Sequence, residues 1–96
     1  MNIGMIGLGT VGQGFLEILA DKSKILKKKY KFHPNIVAIS DPKYGSIYNE
    51  KGLDINKVLK LLKDEGDISK YPGGEKNWDS MKIIKDTNTD TIVEVT

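Results

Sequence analysis

Six residues, Gly7-Leu8-Gly9-Thr10-Val11-Gly12, constrain this chain more than any others. They follow directly on Asn2 to Ile6, which reads as a short apolar strand. They open Thr10 to about Lys28, where Val11, Phe15, Ile18, Leu19, Ile25 and Leu26 recur at helical spacing. A glycine triplet alone is a weak signal. Between a strand and a helix, with a second strand to follow, it is the arrangement that cradles a dinucleotide. Gly7 permits the tight turn. Gly9 lets a pyrophosphate approach the backbone, and Gly12 lets the helix pack close to the strand. The amides near Thr10 and Val11 and the helix dipole then face the phosphates. The alternative is a packing turn that holds no ligand.

The rest of the chain supports an α/β layer. Ile36 to Ser40 reads as a second strand, apolar enough to be covered on both faces, and Asp41-Pro42 ends it. A second helix starts between Gly52 and Asp54, with Asp54 as N-cap. Its inward face is Ile55, Val58, Leu59 and Leu62, and Gly66 stops it. Asp67 to Asn77 reads as a loop turning at Tyr71-Pro72-Gly73-Gly74. A third helix runs from about Asp79 to Lys85 with Met81 and Ile84 inward, and Thr91 to Val95 is the last strand. Strands alternating with helices predict a Rossmann-like parallel sheet of about three strands, truncated, with helices on both faces.

An acidic residue closing the second strand would hold the adenosine ribose hydroxyls of such a cofactor. Asp41 is the candidate, although it lies further from the glycines than the usual spacing of about 20 residues. It also fits a turn-initiating Asp-Pro. Lys43, or Lys57 from the next helix, could meet the 2′-phosphate of NADP, so NAD and NADP both stay open. Each also reads as an ordinary solvated lysine.

Composition narrows the remaining options. At 96 residues the chain makes one small domain. There is no cysteine, so disulfides and thiolate chemistry are absent and a cytoplasmic location is expected. A lone histidine, His33, gives no metal cluster and is assigned no role. No apolar run approaches the roughly 20 residues of a membrane span, and the first residues do not resemble a secretory leader. The net charge of +2 is a weak footprint for nucleic acid. Trp78 and the tyrosines form no stacking stripe. All fifteen basic residues are lysine, so bidentate arginine clamps on phosphate are unavailable. The run Lys27, Lys28, Lys29 and Lys31 suits a solvated helix C-terminus.

Taken together, the residues resemble a known family. The fingerprint Gly7 to Gly12, the strand end Ser40-Asp41 with Gly45-Ser46-Ile47 after it, and the terminal Val93-Glu94-Val95-Thr96 look like the N-terminal part of homoserine dehydrogenase. Tyr48-Asn49-Glu50-Lys51-Gly52-Leu53-Asp54 and Lys70-Tyr71-Pro72-Gly73-Gly74 look like its archaeal-type branch. The resemblance covers essentially the whole chain. It implies an oxidoreductase that interconverts aspartate semialdehyde and homoserine with NAD or NADP, in threonine, methionine and isoleucine synthesis. It implies that Thr96 lies near the nicotinamide end. It also implies that the last strand lies beside the first, on the side away from the second. A plain βαβαβ half would instead put the second strand in the middle.

Residues 1–96 would then be the N-terminal part of a dinucleotide-binding domain, with the substrate domain and catalytic residues absent and the chain itself inactive. The last strand would leave an open edge, so self-association into a homo-oligomer through that edge is expected. Two other readings stand beside this one. One is a stand-alone nucleotide-binding regulatory module, and the other is a dehydrogenase of the same fold acting on another carbonyl substrate.

Overall fold

A computed structural model describes residues 1–30 and 34–95, with side chains through residue 22 in the first span. The expected inward Ile25 and Leu26, the lysine run 27–31, His33 and Thr96 lie outside that description. The elements in order are β1 (Asn2–Ile6), α1 (Thr10–Tyr30), β2 (Asn35–Asp41), β3 (Gly45–Tyr48), α2 (Ile55–Asp64), a 3-10 turn at Ile68–Lys70, β4 (Glu75–Lys76), α3 (Ser80–Asp86) and β5 (Thr91–Glu94). They form one sheet in the order β4-β3-β2-β1-β5. β1 pairs in parallel with both β2 and β5. The last strand therefore lies beside the first, away from the second, as the resemblance implies.

The sheet has five strands where the sequence predicts about three. β3 returns antiparallel along β2, and β4 pairs antiparallel with β3. Asp41-Pro42 ends a strand, as read, but it also begins a hairpin. Asp41 pairs with Gly45 across a three-residue loop, and Gly45 takes φ +94°, which a side chain would resist. β4 is only two residues long, too short to carry an alternation. The expected loop Asp67 to Asn77 also contains anchored core. Ile68 and Tyr71 are buried, and the Tyr71 hydroxyl accepts the Asp54 amide at 2.8 Å.

Helices cover both faces. Met5, Leu8, Leu16, Leu19, Ile39 and Val58 belong to the cluster beneath α1 and α2. A smaller cluster of Val37, Ala38 and Ile83 lies beneath α3. A β-bulge sorts β2 between them. Ile3 pairs with Ile36 but Gly4 pairs with Ala38, so Val37 is an extra residue. Val37 and Ala38 both join the α3 side, while Ile36 and Ile39 face α1. α2 begins as expected at Asp54, whose carboxylate accepts the Asn56 and Lys57 amides. Past its end the amides of Glu65 and Gly66 both donate to the Leu61 carbonyl, with Gly66 at φ +63°.

Two helix faces differ from expectation. In α1, Leu16 and Leu19 point inward, while Val11 is 69% and Ile18 59% exposed. In α3, Ile83 is buried, and Met81 and Ile84 stand out in solvent. The side of α1 bearing Gln13 and Glu17 lines a groove with Leu59 and Leu62 of α2. Helical spacing therefore turns Val11 and Ile18 the other way, away from α2. Lys82 lies over Trp78, which stacks on Tyr48 of β3, so Ile84 turns away from β3, while Met81, two positions from the buried Ile83, points outward.

Candidate functional site

The site is built where β1 ends and α1 begins. Gly7 takes φ +106°, and its amide donates to the Ser40 carbonyl at 2.8 Å, tying the turn to the end of β2. A Cβ on Gly12 would lie 2.7 Å from the Gly7 carbonyl oxygen and 3.2 Å from Val95 Cγ2. The first turn of α1 is thus in backbone contact with β1. At Gly9 the same test meets nothing within 4 Å. The three glycines divide into one that turns, one that faces open space and one that packs. Amides in the first turn of a helix have no intrahelical carbonyl to pair with, so those at Thr10, Val11 and Gly12 are the natural donors to an anion. Gln13 Nε2 donates back to the Leu8 carbonyl at 2.8 Å and braces the turn.

Asp41 fastens this turn to the hairpin. One carboxylate oxygen accepts the Leu8 amide at 2.6 Å. The other accepts the amides of Lys43 at 2.8 Å and Tyr44 at 3.1 Å. Partial burial pushes its pKa up, but the three amide bonds and the Lys43 charge outweigh that and hold it below the ordinary aspartate value. Asp41 initiates the turn, as one sequence reading has it, and its ionised carboxylate sits beside the glycines. Because the folded value lies below the unfolded one of about 3.9, the stabilisation is complete above the unfolded value. It is lost as pH falls through the folded one. Urea midpoints measured at neutral pH and at about pH 3 should fall less steeply in Asp41→Asn than in the parent. Equal slopes would show that Asp41 is not the coupled group.

Two clefts meet at Gly7, Asp41 and Pro42. One, of about 520 Å³, lies on the α1 side and includes Gly9, Thr10, Gln13, Lys43 and Val95. The other, of about 560 Å³, lies across the carboxyl ends of the strands. It takes Ile6 from β1, Ser40 from β2, Ser46 from β3 and Glu94 from β5, and it is closed by Asn77 to Asp79 ahead of α3 and by Ser80 at its start. Ligands of open α/β sheets sit in this place, outside the carboxyl ends where the strand order reverses.

Gly7, Gly9, Thr10, Asp41 and Lys43 are brought together here; Gly12 packs behind them, and the Val11 side chain faces solvent. Lys57 is not among them: it lines a separate groove with Lys60, Leu61 and Pro72. The sequence reading missed Asn77, Trp78, Asp79 and Glu94. Asn77 carries one signal, a left-handed φ of +63° that asparagine tolerates. The others come from elements distant in the chain. Among the described residues no cluster of His, Cys, Asp or Glu could hold a metal ion, and no helix is long and apolar enough to cross a membrane.

A parallel β1-α1-β2 unit with a glycine turn at the switch point defines a Rossmann-type α/β domain. The chain belongs to the glutamate/leucine/phenylalanine/valine dehydrogenase family, whose model matches residues 3–95. Its full-length likeness is to the N-terminal part of homoserine dehydrogenases. It is 36% identical to homoserine dehydrogenase of Methanocaldococcus jannaschii over all of this chain and 28% of that protein. It is 29% identical to NAD(+)-dependent homoserine dehydrogenase of Pseudomonas canavaninivorans, over 98% of this chain and 27% of that one. Among solved structures, a hyperthermophilic archaeal homoserine dehydrogenase mutant in complex with NADPH superposes with a TM-score of 0.79 at 26% identity. That match covers 99% of this chain and 28% of the other. The chain therefore spans little more than a quarter of the length of these relatives.

Proposed function

We propose that this chain is the cofactor-holding part of a homoserine dehydrogenase, with Gly7, Gly9 and Gly12 and the Thr10 and Val11 amides receiving the pyrophosphate of NAD or NADP. The observation that carries this is the contrast between Gly9, where an added Cβ meets nothing within 4 Å, and Gly12, in backbone contact with β1. A turn evolved only for packing has no use for the open position. Asp41 takes the adenosine ribose and Lys43 adds a positive charge beside the phosphates. The cofactor supplies hydride exchange. In the parent enzyme that exchange interconverts aspartate semialdehyde and homoserine, for amino-acid synthesis in the cytoplasm. The groups that hold the substrate against the nicotinamide belong to the remaining part of the enzyme, so residues 1–96 bind cofactor without turnover. A fluorescence titration with NADH should saturate at one site per chain, with ADP-ribose competing. An absence of saturable binding by the folded chain overturns the assignment.

The same reading includes homo-oligomer formation through β5. Among the described residues β5 pairs with β1 alone, which leaves its outer edge unpaired. The opposite edge, β4, is two residues long and charged, which blunts pairing. Sedimentation at increasing concentration should show the chain self-associating. A monomer throughout would remove this part of the proposal.

A further inference from the structure

Leu8, between the first two glycines, is held through both of its backbone polar groups. Its side chain is fully buried. Its amide donates to the Asp41 carboxylate at 2.6 Å, and its carbonyl accepts Gln13 Nε2 at 2.8 Å. The next carbonyl, that of Gly9, accepts the Gln13 backbone amide at 2.9 Å. One residue thus takes two successive carbonyls, one with its side chain and one with its backbone. In a trans peptide the carbonyl and the following amide point in opposite directions. Holding the Leu8 carbonyl therefore directs the Gly9 amide away from the Gln13 side chain. Holding the Gly9 carbonyl directs the Thr10 amide out of the start of α1. Neither amide meets an acceptor among the described residues. Gly9 has no side chain to fix its own conformation, and a Cβ there would touch nothing within 4 Å. The orientation of the Leu8–Gly9 peptide rests on its hydrogen bond.

We propose that Gln13 is a positioning residue for the diphosphate group: it keeps the Gly9 and Thr10 amides turned outward as donors and the Leu8 carbonyl turned away from the anion. The inference rests on the cofactor reading above. Gln13 lies one residue beyond the glycine fingerprint, which gives it no part, yet it lines the same cleft as Gly9 and Thr10. Its side chain is neutral, so it adds no charge to the site. It acts through the peptide it holds. Without that bond the Leu8–Gly9 peptide is free to flip, since glycine tolerates either orientation. A flipped peptide presents a carbonyl oxygen, the wrong pole, to an incoming phosphate. Asp41 fixes the preceding peptide through the Leu8 amide, so the two side chains grip Leu8 from β2 and from α1.

The test compares the parent chain with Gln13→Met and Gln13→Lys. Methionine keeps the length and the helix propensity of glutamine and removes the donor, and lysine restores a donor of similar reach. Two quantities are read well below the melting midpoint: the Leu8 carbonyl carbon shift by NMR, and the affinities for NADH and for inorganic pyrophosphate. In Gln13→Met the Leu8 carbonyl shift should move, and both ligands should bind at least about fivefold more weakly, the factor one net hydrogen bond is worth. The two factors should be equal, because both ligands meet the same amides. Gln13→Lys should return the carbonyl shift and the affinity together. A purely structural brace would lower the melting midpoint and leave the affinity of the folded chain alone. Unchanged affinity in Gln13→Met, weaker binding with the Leu8 shift unmoved, or recovery in Gln13→Lys without return of that shift would each overturn the positioning role. Failure of the folded parent chain to bind either ligand would instead overturn the cofactor site, and this role with it.

Discussion

Gly12→Ala is expected to destabilise the domain by about 1–3 kcal/mol, the usual cost of forcing an atom into a packed contact. The new methyl would lie 2.7 Å from the Gly7 carbonyl oxygen. That oxygen is backbone and cannot rotate away, so α1 must lift from β1. The sign is informative, because alanine in a helix interior ordinarily gains about 0.5–1 kcal/mol over glycine. Gly14→Ala provides the comparison: it lies in the same helix, and its Cβ would meet nothing within 4 Å. It should stabilise by about that amount. In thermal melts of a domain this size, each kcal/mol moves the midpoint by roughly 4–8 °C. The two substitutions should therefore shift it in opposite directions. A Gly12→Ala variant that melts at or above the parent would contradict the close approach of α1 to β1.

Gly9→Ala should do the reverse: leave the fold alone and remove the function. Its Cβ meets no atom within 4 Å, and its φ is not among the positive values. Stability should stay within about 0.5 kcal/mol of the parent. Cofactor affinity should fall by at least about tenfold, since losing one hydrogen bond to a charged phosphate costs about 1.5–3 kcal/mol. The methyl occupies the space through which the pyrophosphate reaches the turn. Unchanged NADH affinity in Gly9→Ala would show that the open position is not where the nucleotide lies. Together the glycine pair separates packing from binding in one short segment.

What was legible in the sequence follows from how local each determinant is. The glycine turn was legible because its spacing, the strand before it and the helix after it are contiguous. Asp41 was legible for the same reason, as a polar residue closing an apolar strand. Its bond to the Leu8 amide was not, because it joins residues 33 apart. The hairpin went unread because Asp41-Pro42 signals the end of a strand more strongly than a four-residue return signals a new one. The inward side of α3 was ambiguous within seven residues: Met81 and Ile84 make as good an apolar pair as Ile83 alone. Contact with the bulged pair Val37 and Ala38 decides it. The Val11–Ile18 side of α1 looked like core because periodicity reports which residues share a face. It does not report whether a neighbour covers that face. Trp78, Asp79 and Glu94 reach the strand-end cleft only through the order β2-β1-β5, which no local pattern encodes.

The most direct test of the cofactor site is an amide NMR titration of this chain with NADH. The account expects saturable shifts centred on Leu8 to Gly12, extending to Asp41–Tyr44 and to Trp78 and Glu94, with Lys57 and Lys60 unmoved. Shifts that leave the glycine turn untouched, or that centre on the Lys57–Lys60 groove, would contradict it.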